Sequence, residues 1–474
     1  MPKSALWSQN LKLLENVMNL RNLFAAALML VCTQGANAQP TSVETLTTAN
    51  GIEFYFAPMP NEERVNIDVI WPTDWLMDEQ RNALAPAVGA QLMLAGGAAD
   101  LDPAELQSQF SDLVSDGSVN AIADHVRGRL SVRHDQVQEA VAIANKVLVA
   151  PRFDERWLQR IKDGITDRVA KEKTQSAYQG WDGVRRLVFG NSATYRFNSN
   201  GGDQPVETVT RDDVVAWHKR TFVTSSAMIT VAGQISGDDA KLRVDELFAG
   251  MPAGEPVAPY EVEATYLPKT IIVQNDAIEK TTLAYLAPLS PTSEGGEYED
   301  IVATHILGGG EQSRLFQAVR QQLRATYGFS AGLSAYTRKN RFIALSGEVE
   351  TEKLQDVRDL VKTTYTDFLQ TGVTEEEAGA LRTMFSDGLK VNLSHASVVT
   401  YVIAESVLDG YSADRLLSLA QELKTLDAEK VNIHIASKFP KFDQFIELIV
   451  TPKPIEQPGA CLVQTANDIE NCLN

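Results

Sequence analysis

The sequence predicts an α+β fold of two homologous domains, each a mixed or antiparallel sheet of about six strands with helices packed on one face. Three observations carry that expectation. A chain of 474 residues with 44% hydrophobic side chains is long enough for two or more cores. One α+β unit is written twice along it. A stretch rich in proline, glycine and acid separates the two copies.

The repeat is clearest at the end of each copy. TVTRDDVVAWHKRTF over 208–222 and TLDAEKVNIHIASKF over 425–439 both open on a Thr/Asp capping group, run at helical period and close on a basic residue and Phe. At the same offset an apolar strand follows each, Met228-Ile229-Thr230-Val231 and Phe445-Ile446-Glu447-Leu448. Upstream, VNIDVI over 65–70 alternates as a strand, and after a loop an apolar helix ends at Gly96 and Gly97. A strand over 281–287, a loop and a helix ending at Gly308, Gly309 and Gly310 repeat that order. Longer helices are expected over 135–149, 155–171 and 354–369. Strands that neighbour in sequence with helices between them favour helices on one face of a mixed sheet. The segment MPAGEPVAPYEVEATYLP over 251–268 shows no sustained helical period and suits an extended linker. The expected organisation is a first domain over 45–250, the linker over 251–268, a second domain over 269–452 and a tail over 453–474.

Charge narrows the function. With 43 Lys+Arg against 62 Asp+Glu the formal charge is −19, which does not supply the basic surface that phosphate neutralisation needs, so nucleic acid is not an expected partner. A field of that sign can steer basic peptides toward a cleft, or serve solubility alone.

The apolar run over 23–31, behind Arg21 and ahead of Gly35-Ala36-Asn37-Ala38, reads as a secretory signal over 1–38 cleaved after Ala38. Met18 would itself start a signal of ~21 residues and is the suspected initiator. No stretch reaches the roughly 18 apolar residues of a membrane helix, and bulky Val31 before Cys32 argues against a lipid anchor, so no stable membrane anchor is expected. Export to the periplasm would put the two remaining cysteines, Cys461 and Cys472, in an oxidising compartment, where a close pair reads as a disulfide.

The stretch Gly308-Gly309-Gly310-Glu311-Gln312-Ser313-Arg314-Leu315-Phe316, followed by Val319-Arg320 and Ala325-Thr326-Tyr327-Gly328-Phe329-Ser330-Ala331, resembles the second-domain signature of the pitrilysin/insulinase zinc-peptidase family. The duplicated unit matches too, so the resemblance covers about 45–452. Active members carry His-x-x-Glu-His in the first domain, where two imidazoles bind zinc and Glu activates water. Alignment on the Gly pair that closes that helix puts Ala87, Ala90 and Gln91 at the first His, the Glu and the second His. The family's distal carboxylate would fall near Asp167, but one carboxylate does not make a zinc site, and a solvated helix residue is the simpler reading. No two of the six histidines, His125, His134, His218, His305, His395 and His434, stand three or four apart, so each reads as a surface or packed residue. No Gly-x-Ser-x-Gly supports a serine nucleophile.

What the resemblance retains is the family's Arg and Tyr seven residues apart, which hydrogen-bond substrate carbonyls beside the zinc-bound water; the matching pair is Arg320 and Tyr327, with Arg324 as an alternative partner. A chain that keeps this pair and lacks zinc ligands is similar to the non-zinc subunit of two-subunit members. That implies a heterodimer with a homologous zinc-bearing subunit, peptide substrates, no cofactor in this chain and zinc in the partner. Two other classes stay open: an inert structural or assembly subunit, and a stand-alone periplasmic peptide-binding protein.

Chain recovered from an oxidising compartment is expected to show, by mass spectrometry without reduction, the loss of two hydrogens that joins Cys461 to Cys472. Two alkylatable thiols would contradict both the pairing and the location.

Overall fold

Two six-stranded sheets carry the fold, seen in a computed structural model that describes residues 39–257, 260–276, 278–324, 326, 328–465, 468–469 and 472. The expected export signal over 1–38 lies outside these described residues. The first sheet runs β1 (Glu44–Thr47), β2 (Glu53–Pro58), β6 (Met228–Gly233), β3 (Arg64–Pro72), β5 (His125–Arg133), β4 (Asp116–Ala121). The second runs β12 (Cys461–Val463), β7 (Thr270–Gln274), β11 (Ile446–Thr451), β8 (Thr281–Leu289), β10 (Arg341–Val349), β9 (Phe329–Ala335). The orders β2-β6-β3-β5-β4 and β7-β11-β8-β10-β9 are one pattern, each with a parallel pair, β2 with β6 and β7 with β11, in an otherwise antiparallel run.

The helices of the first half are α1 (Ala85–Ala95), α2 (Pro103–Asp112), α3 (Val137–Val149), α4 (Glu155–Lys173), α5 (Ser176–Phe189), α6 (Arg211–Thr221) and α7 (Gly237–Leu247). Those of the second are α8 (Glu297–Gly308), α9 (Leu354–Thr371), α10 (Glu375–Asn392), α11 (Ala396–Leu408) and α12 (Ala428–Lys438), besides shorter turns. The duplicated helices start where the capping groups stand. Thr210 and Asp213 form a reciprocal capping box on α6, and the Asp427 carboxylate accepts from the Lys430 N–H at 2.9 Å on α12. The helix expected over 135–149 opens as a 3-10 turn, His134–Gln136, because no side chain caps α3 and the tighter turn satisfies its first N–H groups instead.

Each sheet packs its own helices on one face, and the opposite face receives one helix from the other half. Helix α11, from the second half, lies on β3 and β6 of the first sheet. Helix α5, from the first half, lies on β7 and β11 of the second. In α5 the close approach rests on glycines: a Cβ at Gly180 would stand 2.9 Å from both Leu448 Cδ1 and Val450 Cγ2, and one at Gly183 would stand 2.8 Å from Ile469 Cδ1. Val184, Leu187 and Val188 of α5 share a buried cluster with Ile271, Val273, Leu448 and Val450. Cys461 and Cys472 are joined in a disulfide, and the short loop it closes seats fully buried Ile469 against α5.

That exchange explains an anomaly in β3. Its polar phase, Asn66 and Asp68, is as buried as its apolar phase, because α11 covers it. Asn66 Nδ2 donates to Thr400 Oγ1 at 2.6 Å. Asp68 accepts from Arg127 through Nε at 2.9 Å and Nη2 at 2.6 Å, and Arg127 Nη1 reaches Glu405 of α11 at 2.9 Å. Arg338, just before β10, donates to the other Glu405 oxygen at 2.6 Å and to Asp409 at 2.5 Å, while its backbone N–H donates to Asp124 at 2.9 Å. Asp124 in turn pairs with His125 Nδ1 at 2.7 Å. The guanidinium of Arg127 also stacks on Tyr401, 4.1 Å from the ring centre. Burial alone would raise the Glu405 pKa, but Arg338 and Arg127 outweigh it and pull it from 4.5 down to about 2.

Because the folded pKa of Glu405 is depressed, its contribution is complete above the unfolded value of 4.5 and fades as pH falls through about 2. With its side chain 28% exposed, Glu405→Gln is expected to cost about 2–3 kcal/mol at pH 7 in denaturant unfolding. The difference from wild type should shrink as pH drops below 4.5. A pH-independent difference would mean that packing, not charge, holds Glu405.

Candidate functional site

Two segments correspond to the positions read from the sequence, one in each half. The first is α1, where the resemblance would put the family's His-x-x-Glu-His. Pro86 stands in its first turn, where a missing N–H costs nothing, and Gly89 lets the ring of Trp217 from α6 lie directly on the helix backbone. Ala87 is half-buried, Ala90 is buried and Gln91 is exposed, its Nε2 donating to the Ala87 carbonyl at 3.2 Å. Zinc needs imidazole, thiolate or carboxylate ligands, and two methyl groups with one amide do not fit it. Asp167 is exposed on α4. Among the described residues no three His, Cys, Asp or Glu side chains converge on a point.

The histidines have other partners. His125 pairs with Asp124, His434 Nε2 with Asp300 at 2.8 Å, and His218 Nε2 with the Leu148 carbonyl at 2.8 Å. Burial holds His218 and His305 below the ordinary imidazole pKa. His305 packs edge-on against Phe385, His134 is exposed, and His395 stands 3.9 Å from Glu62.

The second segment runs from Gly308 into β9. At the end of α8, Gly308 presses on the edge strand: a Cβ there would collide with the backbone nitrogen of Ala331. Ser313 closes the following turn, its Oγ donating to the Gly310 carbonyl at 2.5 Å. Arg314 then fastens the segment to the helices behind it, donating to the Gly372 carbonyl at 2.7 Å and to Glu377 at 3.0 Å, with Phe368 under its guanidinium. Leu315 is fully buried beside it.

The turn Arg314–Phe316 widens into a π-helical turn, Gln317–Gln322, that buries Ala318 and Val319 and leaves Arg320 half-buried. Such widened turns concentrate at functional sites because they re-aim one side chain without ending the helix. Arg320 Nη1 donates to the Thr326 carbonyl at 3.0 Å. Arg324, the alternative partner, is exposed at φ 52°, in the left-handed region, with its carbonyl held by Lys353 Nζ at 3.1 Å. Tyr327 lies outside the described residues. Sequence reasoning did not anticipate the anchoring by Arg314 or the tether on Thr326, since neither leaves a periodicity or a spacing to read.

Fold and site define a class: a duplicated two-sheet α+β chain with a peptidase-like signature in its second half and Ala87, Ala90 and Gln91 on the apolar helix of its first. Residues 208–385 match the family model described as the peptidase M16 inactive domain, so the resemblance to the pitrilysin-type peptidases is shown over that stretch. An uncharacterized zinc protease of Mycobacterium bovis is 24% identical over 240 residues, 49% of this chain and 53% of the relative. The chain thus spans about half the length of the curated relatives it matches. The peptidase M16 inactive domain from Pseudomonas fluorescens superposes with a TM-score of 0.80 at 18% identity, over 88% of this chain and 100% of that one. The periplasmic protease PqqL from Escherichia coli gives 0.76 at 14% identity over 90% of this chain but 48% of its own, and both structures attest the fold.

Purified chain, dialysed and subjected to elemental analysis, is expected to retain well under one zinc per molecule. One tightly held zinc per chain would contradict the reading of Ala87, Ala90 and Gln91.

Proposed function

We propose that this chain is the non-zinc, substrate-binding subunit of a heterodimeric zinc metallopeptidase that cleaves peptides in the periplasm, and that it supplies Arg320 and Tyr327 to a site whose metal sits in a homologous partner carrying His-x-x-Glu-His. The observation that carries this reading is the contrast between the two segments. Helix α1 keeps its packing and has lost every ligand, whereas Arg320 stands on a widened turn with its backbone surroundings anchored by Arg314. An inert scaffold has no chemical use for an arginine held this way.

The chemistry asked of this chain is modest. A planar guanidinium can donate to a peptide carbonyl and favour the negative charge that grows on its oxygen, and a phenol at position 327 can donate to the same or a neighbouring carbonyl. This chain's residues would bind and orient the peptide; the metal and the base would come from the partner. The match to about half of PqqL supports a second homologous unit, and the expected export signal over 1–38 is the ground for the periplasm. The acidic balance of the chain favours basic, unfolded segments as substrates.

Removing one oxyanion-type donor typically costs 10²–10³ in rate, or roughly 3–4 kcal/mol. Arg320→Ala and Tyr327→Phe are therefore expected to cripple cleavage of a fluorogenic unstructured peptide by the reconstituted pair, with association intact. Arg324→Ala is the comparison that separates the two arginines and should retain most activity. Full activity in both Arg320→Ala and Tyr327→Phe would exclude the active-site role and favour an assembly subunit.

A further inference from the structure

Arg320 is not aimed by its own helix alone. Its Nη1 donates at 3.0 Å to the carbonyl of Thr326, a residue only 8% exposed. The Thr326 hydroxyl in turn accepts from the Gly328 N–H at 3.1 Å and donates to the Gly328 carbonyl at 2.9 Å. One hydroxyl used as donor and acceptor at once has no rotational freedom left, so both groups of Gly328 are fixed to it. Gly328 leads directly into β9, where Phe329 is 1% exposed and pairs with Gly347 of β10. On the other side the chain leaves the π-helical turn through Leu323 and through Arg324, whose carbonyl is tied to Lys353. The carbonyl that Arg320 addresses is thus held from the sheet through one threonine side chain.

We infer that Thr326 is a positioning residue of this site: its hydroxyl bridge to Gly328 fixes the carbonyl that orients the Arg320 guanidinium. This rests on the reading that Arg320 acts on the peptide, and it adds a residue with no chemistry of its own toward substrate. Valine at 326 would keep the volume and the carbonyl but remove the bridge, leaving a half-buried N–H and C=O at Gly328 without it. The backbone could then shift, and misplacement on the order of 1 Å costs about 10²-fold when geometry sets the rate.

The test uses the full chain with its zinc-bearing partner and a fluorogenic unstructured peptide, comparing Thr326→Val, Thr326→Ser and Arg320→Ala in one series. Thr326→Val is expected to lower kcat about 10- to 100-fold with KM changed less than about twofold. Thr326→Ser, which keeps the hydroxyl, should recover kcat to within about threefold of wild type. Should the valine variant fail to fold, Thr326→Ala carries the same comparison. Impaired Arg320→Ala with unchanged Thr326→Val would overturn this inference and leave the functional reading standing. A serine variant as poor as valine would also overturn it, because the methyl group and not the hydroxyl would then be what matters. Full activity in Arg320→Ala would overturn the functional reading and this inference with it.

Discussion

The arrangement depends on Arg127, held between Asp68 of its own sheet and Glu405 of a helix contributed by the other half. Removing charges from water is expensive, and such a group persists only when every neighbour is paired. Here the pairing is continuous, from Asp68 through Arg127 to Glu405, then Arg338 to Asp409 and Asp124. The chain of charges runs across the boundary between the two copies. It therefore fixes where α11 sits on the first sheet, and the apolar contacts of α11 follow from that placement.

The reciprocal helix, α5, is placed by a different force. Its contact with the second sheet is apolar and close, through Gly180 and Gly183, with Ile469 held in the gap by the disulfide-closed tail. One exchanged helix is thus specified by charge and the other by shape. Together they bind the two halves along both sheets. Arg314 and Gly308 then fix the segment that leads to Arg320, one by fastening to Gly372 and Glu377, the other by admitting the backbone of β9.

Helix α1 shows that this fold needs no metal ligand at positions 87, 90 and 91. Gly89 against Trp217 and the buried face of Val88, Leu92 and Met93 hold that helix in place, and none of these contacts involves a metal. Function here is grafted on the fold and separable from it. Alanine at 87 and 90 is also a strong helix former, so these residues favour α1 by local propensity.

The duplicated unit, its capping residues Thr210, Asp213 and Asp427, the alternation of β3 and the glycines after α8 were determined by the sequence itself, because each rests on local periodicity or on a residue's own backbone preference. The signature around Arg320 and the absence of ligands at Ala87, Ala90 and Gln91 were legible for the same reason: they are questions of residue identity at a spacing. Only the tertiary structure decided that Asn66 and Asp68, the polar positions of an alternating strand, lie under α11, and that Glu405 is their charged neighbour through Arg127. Glu405 and Arg127 are far apart in the chain, and no pattern in a sequence marks which residues burial will bring together. The tether from Arg320 to Thr326 is local in sequence yet equally illegible, since it depends on a widened helical turn that packs on α9 and on one hydroxyl rotor tied to Gly328, neither of which a residue type or a spacing displays.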